Sequence, residues 1–121
     1  YQFAGQYRGI VVGTGNKVED YGVGFYTKYG DGGVDIAPIA DLYKSEVWDL
    51  GKSLGIDSRI IEAKPTDGLW DDGRTDEDQL GATYSELEEA METGKGTGLK
   101  VLQEYGRMNA HKMNPIPTFT L

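Results

Sequence analysis

The chain has 121 residues, enough for one domain of common size, with 20 acidic against 12 basic residues and a formal net charge of −8. That balance excludes the basic surface a long phosphate backbone requires, so nucleic acid is not an expected partner, and no apolar run approaches the ~18 residues of a membrane span. With zero cysteines the chain cannot build a disulfide framework, a cysteine-ligated zinc site or a thiol nucleophile, and a cytoplasmic protein is the default expectation.

In chain order, the opening "YQFAGQYRGIVVGTG" lacks the basic-then-apolar pattern of a secretory signal. Tyr1 to Tyr7 reads as the end of a helix, with Phe3, Ala4 and Tyr7 on one face and Gly9 as its stop. Gly9-Ile10-Val11-Val12-Gly13 is a short apolar run rich in β-branched residues, the pattern of a strand buried on both faces of a parallel sheet. No second such run follows, and a parallel strand needs partners. The expectation is therefore a fragment, cut inside a helix, whose sheet lies mostly upstream; the alternative is an isolated small domain with one hairpin-like strand.

Thr14 to Pro38 reads as a glycine-rich loop: nine of the 18 glycines fall between Gly5 and Gly33. A helix is expected from about Leu42 to Leu54, with Val47, Leu50 and Leu54 as its apolar stripe and Gly55-Ile56 as a Schellman stop. Ser58 to Ala63 reads as a further helical turn, and Pro65 to Asp76, "PTDGLWDDGRTD", as a polar loop. Trp70 among those acids is either fastened to the core or folded over a ligand. Thr75 can cap a short helix. A longer helix follows, with a capping box at Ser85 and Glu88, Leu87, Ala90 and Met91 facing inward, and Gly94 at its end. Gly98 to Ala110 is a last helix with Val101, Leu102 and Tyr105 as its stripe, and Pro115 and Pro117 keep the tail "HKMNPIPTFTL" extended.

The chemistry concentrates around the glycines. Thr14 and the backbone N–H groups of "GTGNKVE" sit at the carboxyl end of the expected strand, the edge where open α/β sheets bind ligands. Glu19, a short turn later, is of the type that holds Mg²⁺. "TKYGDGGVD" places Lys28 where it can meet a phosphate or carboxylate, and Asp31 and Asp35 where they can accept from hydroxyls or an amine. A solvated turn with local Lys–Asp pairs explains the same spacing. Lys44 in the first turn of a helix opposes the helix dipole unless an anion lies nearby. His111 and Lys112 are adjacent, and no Ser–His–Asp or metal-ligand spacing includes the histidine.

Together, "GIVVGTGNKVE", "GFYTKYGDGGVDIAPIADLYKSEVW", "LGKSLGI", "TDEDQLGATYSELEE" and "HKMNPIP" resemble ammonia-dependent NAD synthetase, a member of the N-type ATP-pyrophosphatase group. The resemblance covers nearly the whole chain but only the family's C-terminal half. The family's Ser-Gly-Gly-x-Asp-Ser loop does not occur here. It implies an α/β fold class: the C-terminal portion of a Rossmann-like (adenine nucleotide alpha hydrolase-like) parallel-sheet domain, mostly helical in this stretch. The whole of 1–121 would form that part of a single domain.

The implied reaction uses ATP to adenylate the nicotinate carboxylate of deamido-NAD, releasing pyrophosphate, after which ammonia displaces AMP. Carried over by motif, Thr14, Lys44 and Thr66 are expected at ATP and Glu19 at Mg²⁺. Phe25, Lys28, Asp35, His111 and Lys112 are expected at deamido-NAD, and Asp31 at the ammonium ion as proton acceptor. The Thr66–Asp76 loop is expected to close over the nucleotides, although Asp67 and Arg74 depart from the family's usual residues. The family implies a homodimer. Alternatives are another amide-forming ATP pyrophosphatase, which would lack the "TKYGDGG" stretch, and a non-catalytic piece that binds nucleotide or dimerises.

Overall fold

The computed structural model describes residues 1–121, and short helices dominate it. Helix α1 (Gln2–Tyr7) forms as expected, but its left-handed cap falls on Arg8 (φ 55°) instead of Gly9. The expected strand is reduced to a single parallel bridge between Val12 and Ile36. The Gly13 N–H donates to the Ile36 carbonyl (2.7 Å), and the Asp35 N–H to that of Val11 (2.9 Å). Ile10 and Val12 remain exposed, at 60% and 53%. The β-branched run is extended, but no neighbour covers its two faces.

Thr14 to Pro38 is more ordered than a loop. Lys17–Val23 winds as a π-helical turn, capped by the Asn16 side chain, which accepts from the Val18 and Glu19 N–H groups (3.0 and 3.1 Å). Such wide turns are rare and frequently fall at functional sites. Val18 and Val23 are fully buried, which sends Glu19 and Asp20 toward the opposite side. Gly22 makes this packing possible: a Cβ there would lie 2.9 Å from Met91 Sδ and 3.4 Å from Leu102 Cδ1. Gly24 ends the turn at φ 65°, and a Cβ there would lie 2.5 Å from Asn109 Cβ.

Helix α2 (Lys44–Ser53) ends in the expected Schellman motif, with Ile56 N–H to Gly51 C=O and Gly55 N–H to Lys52 C=O, both 3.0 Å. Its expected stripe does not become the buried face, since Leu50 and Leu54 are 42% and 69% exposed. Trp48 is the residue that docks instead, edge-on to Tyr84 with ring centroids 6.0 Å apart. Helix α3 (Ser58–Ile61) is capped by Asp57, and α4 (Asp76–Leu80) by the Thr75–Asp78 capping box.

In α5 (Tyr84–Thr93) the capping box is Thr83–Glu86, two residues before the expected pair. The earlier start brings Tyr84, 2% exposed, into the first turn of the helix, while Leu87, 0% exposed, faces inward as expected. Glu88 instead crosses to α2, accepting from the Ser45 N–H and hydroxyl (3.0 and 2.7 Å). Gly94 ends α5 as expected. Helix α6 (Leu99–Met108) lays Val101, Leu102 and Tyr105 against the core of Val18, Val23, Leu80, Ala82, Tyr84 and Leu87. The tail departs from expectation at its start: Ala110–Met113 makes one more helical turn, α7, before the prolines impose extension.

Candidate functional site

Two adjoining cavities collect most of the expected site residues. The first, about 300 Å³, is lined by Thr14, Glu19, Phe25, Asp31, Lys44, Pro65, Thr66, Asp67 and Asp76. The second, about 470 Å³, is lined by Phe25, Tyr26, Thr27, Asp31, Asp67, Leu69 and Lys112. Phe25, Asp31 and Asp67 belong to both, so the hollows meet at those three side chains. A separate hollow of about 380 Å³ between Trp48, Ile61 and Pro65 contains none of the expected residues.

The first cavity brings together Thr14 from the end of the extended segment, Glu19 from the π-turn, Lys44 from the first turn of α2, and Thr66 from the loop before α4. Lys44 Nζ donates to Glu19 Oε1 at 2.8 Å and lies 5.0 Å from the centroid of the Tyr84 ring. The two side chains of this ion pair are only 17% and 16% exposed. The sequence suggested an anion beside Lys44. In the structure that anion is Glu19.

Tyr84, at the start of α5, places its phenol against two of the cavity's four carboxylates, Glu19 and Asp76. Its hydroxyl makes a short hydrogen bond to Glu19 Oε1 and a longer contact, 3.2 Å, to Asp76 Oδ2. Burial, then the charge of Glu19, pushes the Tyr84 phenol far above its ordinary range, so it keeps its proton. Asp76 is 8% exposed, and its Oδ1 is buried without a hydrogen-bond partner. Desolvation raises its carboxyl above the usual range, against the lowering effect of the Tyr84 hydrogen bond. No group of three or more ligating side chains gathers here. Magnesium needs fewer: it is commonly held by one or two carboxylates together with substrate phosphates and water. Glu19 with the unpartnered oxygen of Asp76 fits that donor set.

The Thr66–Thr75 loop is pinned at its base, where the Asp76 N–H donates to the Pro65 carbonyl at 3.0 Å. Gln79 Nε2 ties Asp67 to α4 at 3.1 Å. Trp70 is not fastened to the core: it is 55% exposed and lies beside the Arg74 guanidinium, 4.7 Å from its ring centroid.

In the second cavity Lys112 Nζ donates to the Gly24 and Tyr26 carbonyls (2.9 and 2.7 Å), while Lys28 Nζ donates to the His111 carbonyl at 2.6 Å. Both ammonium groups are held by main-chain oxygens and neither forms an ion pair, so their charge remains available to an anion. Lys28 and His111 stand beside Lys112 without lining either hollow. Asp31 lines both and accepts the Thr27 N–H at 2.8 Å. Asp35 lies apart, accepting from the Tyr1 hydroxyl and the Val11 N–H (3.1 and 2.8 Å), where it secures the extended segment.

Three residues here were not singled out from the sequence: Asp20, Asp76 and Tyr84. Asp20 lines a further hollow together with Asp31 and Lys112, with its carboxyl raised to about 6 by burial, then by the charges of Glu19 and Asp31. Asp76 reads in sequence as one more acid of a helix first turn. Tyr84 reads as core.

The sequence pattern of a family described as NAD synthase matches residues 1–116. The NH(3)-dependent NAD(+) synthetase of Methanococcoides burtonii is 50% identical over 92 residues, 76% of this chain and 34% of that protein. That of Alkaliphilus oremlandii is 43% identical over 121 residues, 98% of this chain and 47% of that protein. The solved structure of NMN synthetase from Francisella tularensis superposes with a TM-score of 0.87 at 39% identity, covering 100% of this chain and 51% of that one. The NH3-dependent NAD synthetase from Campylobacter jejuni gives a TM-score of 0.68 at 27% identity, covering 99% and 49%. These neighbours have the expected Rossmann-like fold, and the chain spans about half, or less, of the proteins it matches.

Proposed function

Because the chain belongs to the NAD synthase family, we propose that the protein carrying it amidates deamido-NAD to NAD with ammonia and ATP. Residues 1–121 would supply the C-terminal part of the synthetase domain, and the ATP-binding Ser-Gly-Gly-x-Asp-Ser loop would come from the rest of it. By themselves these residues would not turn over. The observation that carries the reading is the pair of hollows joined at Phe25, Asp31 and Asp67. One is walled by Thr14, Lys44 and Thr66 beside the acids Glu19, Asp31, Asp67 and Asp76, and would take a triphosphate together with its divalent cation. The other, edged by Lys112, suits a phosphate-bearing acid.

In this reading a carboxylate oxygen of the nicotinate attacks the α-phosphorus of ATP, and the bond to pyrophosphate breaks. Ammonia then attacks the acyl carbon, AMP leaves, and a proton from nitrogen passes to the Asp31 carboxylate. Lys44, now paired with Glu19, would turn to the phosphates and stabilise the charge that develops there. Glu19 would hold Mg²⁺, which when bound neutralises phosphate charge. Phe25, at the junction, would pack on the nicotinate ring, while Lys28, Lys112 and His111 orient the remainder. Asp35, engaged with Val11 and Tyr1, would act on the substrate only by holding that segment in place. The Thr66–Asp76 loop would exclude water during the adenylate's lifetime. A homodimer, implied by the resemblance, and a cytoplasmic location, the default for a chain without cysteines, belong to the same proposal.

A second reading has support of its own: the likeness to an NMN synthetase, at a TM-score of 0.87, favours a mononucleotide acid as substrate, with the same chemistry at the carboxylate. One experiment separates the two. Full-length protein is given ATP, ammonium, Mg²⁺ and either deamido-NAD or nicotinate mononucleotide, and AMP, pyrophosphate and amide are measured. Preferential turnover of deamido-NAD supports the first reading, and that of the mononucleotide the second. Release of AMP with neither acid amidated defeats both.

A further inference from the structure

We propose that Asp76 is a second carboxylate of the divalent-cation site, held opposite Glu19 by the Tyr84 phenol; this rests on the reading above, in which Glu19 holds the cation. The burial of Asp76 is not explained by its local fold. Asp76 opens α4, yet that helix is already capped by Thr75 and Asp78, whose reciprocal bonds measure 3.1 and 2.9 Å. The Asp76 N–H points away to the Pro65 carbonyl. A first-turn acid that only tuned the helix dipole would stay in water. Asp76 is 8% exposed, with Oδ1 buried and unpartnered.

The surrounding bonds leave its charge poorly met. A phenol has one proton to donate. The short bond from Tyr84 goes to Glu19, and the contact to Asp76 Oδ2 is the longer one, 3.2 Å. The one lysine of the cavity wall, Lys44, has its Nζ engaged on Glu19. Two carboxylates thus share one phenol on the wall of a cavity that also carries Thr14, Lys44 and Thr66. Glu19 and the unpartnered oxygen of Asp76 would together hold a divalent cation, with nucleotide phosphate and water as the other ligands, leaving Lys44 free for the phosphates. Tyr84 is then a positioning residue, acting through the two carboxylates it aligns.

The test uses full-length protein with Mn²⁺ as the probe, titrated in the presence of a non-hydrolysable ATP analogue and followed by electron paramagnetic resonance of the free ion. Asp76→Asn keeps the shape and an acceptor for Tyr84, and is expected to weaken Mn²⁺ binding at least tenfold without lowering the metal-free melting temperature. Tyr84→Phe keeps both carboxylates but releases them, and is expected to weaken Mn²⁺ by roughly 10–100-fold. If Asp76→Asn fails to fold, Tyr84→Phe and Asp76→Glu carry the test in its place. Wild-type Mn²⁺ affinity in the folded Asp76 variants and in Tyr84→Phe would mean that Asp76 is an uncharged structural acid, and the proposal fails. Loss of Mn²⁺ binding in Asp76→Asn, with wild-type protein amidating neither acid, would instead defeat the functional reading and leave this one standing.

Discussion

Replacing Lys44 by Met keeps the apolar stem and removes the only cation paired with Glu19. The pair is 2.8 Å long, and its side chains are 17% and 16% exposed. Truncating one partner of a fully buried pair costs ~3–5 kcal/mol; the solvent access of this cavity wall lowers that to about 2–3 kcal/mol. Asp76 adds a pH signature. Its carboxyl is already raised, chiefly by desolvation, so the folded state binds this proton more tightly than the unfolded chain. For a raised acid, stability grows as pH falls through the folded value. The charge of Lys44 is one of the influences holding Asp76 down, and without it the effect strengthens. The deficit of Lys44→Met against wild type, measured by urea unfolding of full-length protein, should therefore be about 2–3 kcal/mol at pH 8 and clearly smaller near pH 5. Adding Glu19→Gln should recover part of the loss. A deficit below about 0.5 kcal/mol, the range of an exposed pair, or one identical at both pH values, would refute the reasoning.

Asp20→Asn should stabilise the protein. The carboxyl is raised from its ordinary 3.8 to about 6, so wild-type stability declines as pH rises through that interval, and the full penalty is present above it. After discounting for partial solvent exposure, a gain of about 1 kcal/mol at pH 8, vanishing below pH 4, is expected in unfolding titrations. An unchanged profile would mean that Asp20 is solvated. Lys112→Met should raise the KM for the acid substrate about tenfold, the size of one lost charge-assisted hydrogen bond, with a smaller effect on kcat. Steady-state kinetics with ATP saturating distinguishes this from a fall in kcat alone, which would take Lys112 out of substrate binding.

What the sequence made legible is mostly local chemistry. The Gly55 stop, the Thr75 cap and the Gly94 terminus each rest on residues within one turn, and each stands in the structure. The capping box of α5 shows the limit of such reasoning. Thr83–Glu86 and Ser85–Glu88 both match the pattern, and the observed choice goes with the burial of Tyr84 and with Glu88 engaged on Ser45. The π-turn at Lys17–Val23 depends on Gly22 meeting Met91 and Leu102 from helices far along the chain, which no local pattern encodes. The Val12–Ile36 bridge joins segments 24 residues apart. Of the site, Thr14, Glu19 and Lys44 stand out by residue type and position and Thr66 by the family resemblance alone, and the four share one cavity wall. Asp76 escaped notice because an acid beside a cap looks like helix dressing until its burial against Pro65 and Tyr84 is seen.

The account turns on whether the Thr14–Lys44–Thr66 cavity is a nucleotide site. A crystal structure of full-length protein with a non-hydrolysable ATP analogue and Mg²⁺ tests this most directly. The triphosphate is predicted to lie against Thr14 and Thr66, with Lys44 Nζ moved from Glu19 to a phosphate oxygen. A triphosphate bound elsewhere, with the Lys44–Glu19 pair intact at its present 2.8 Å, would contradict it.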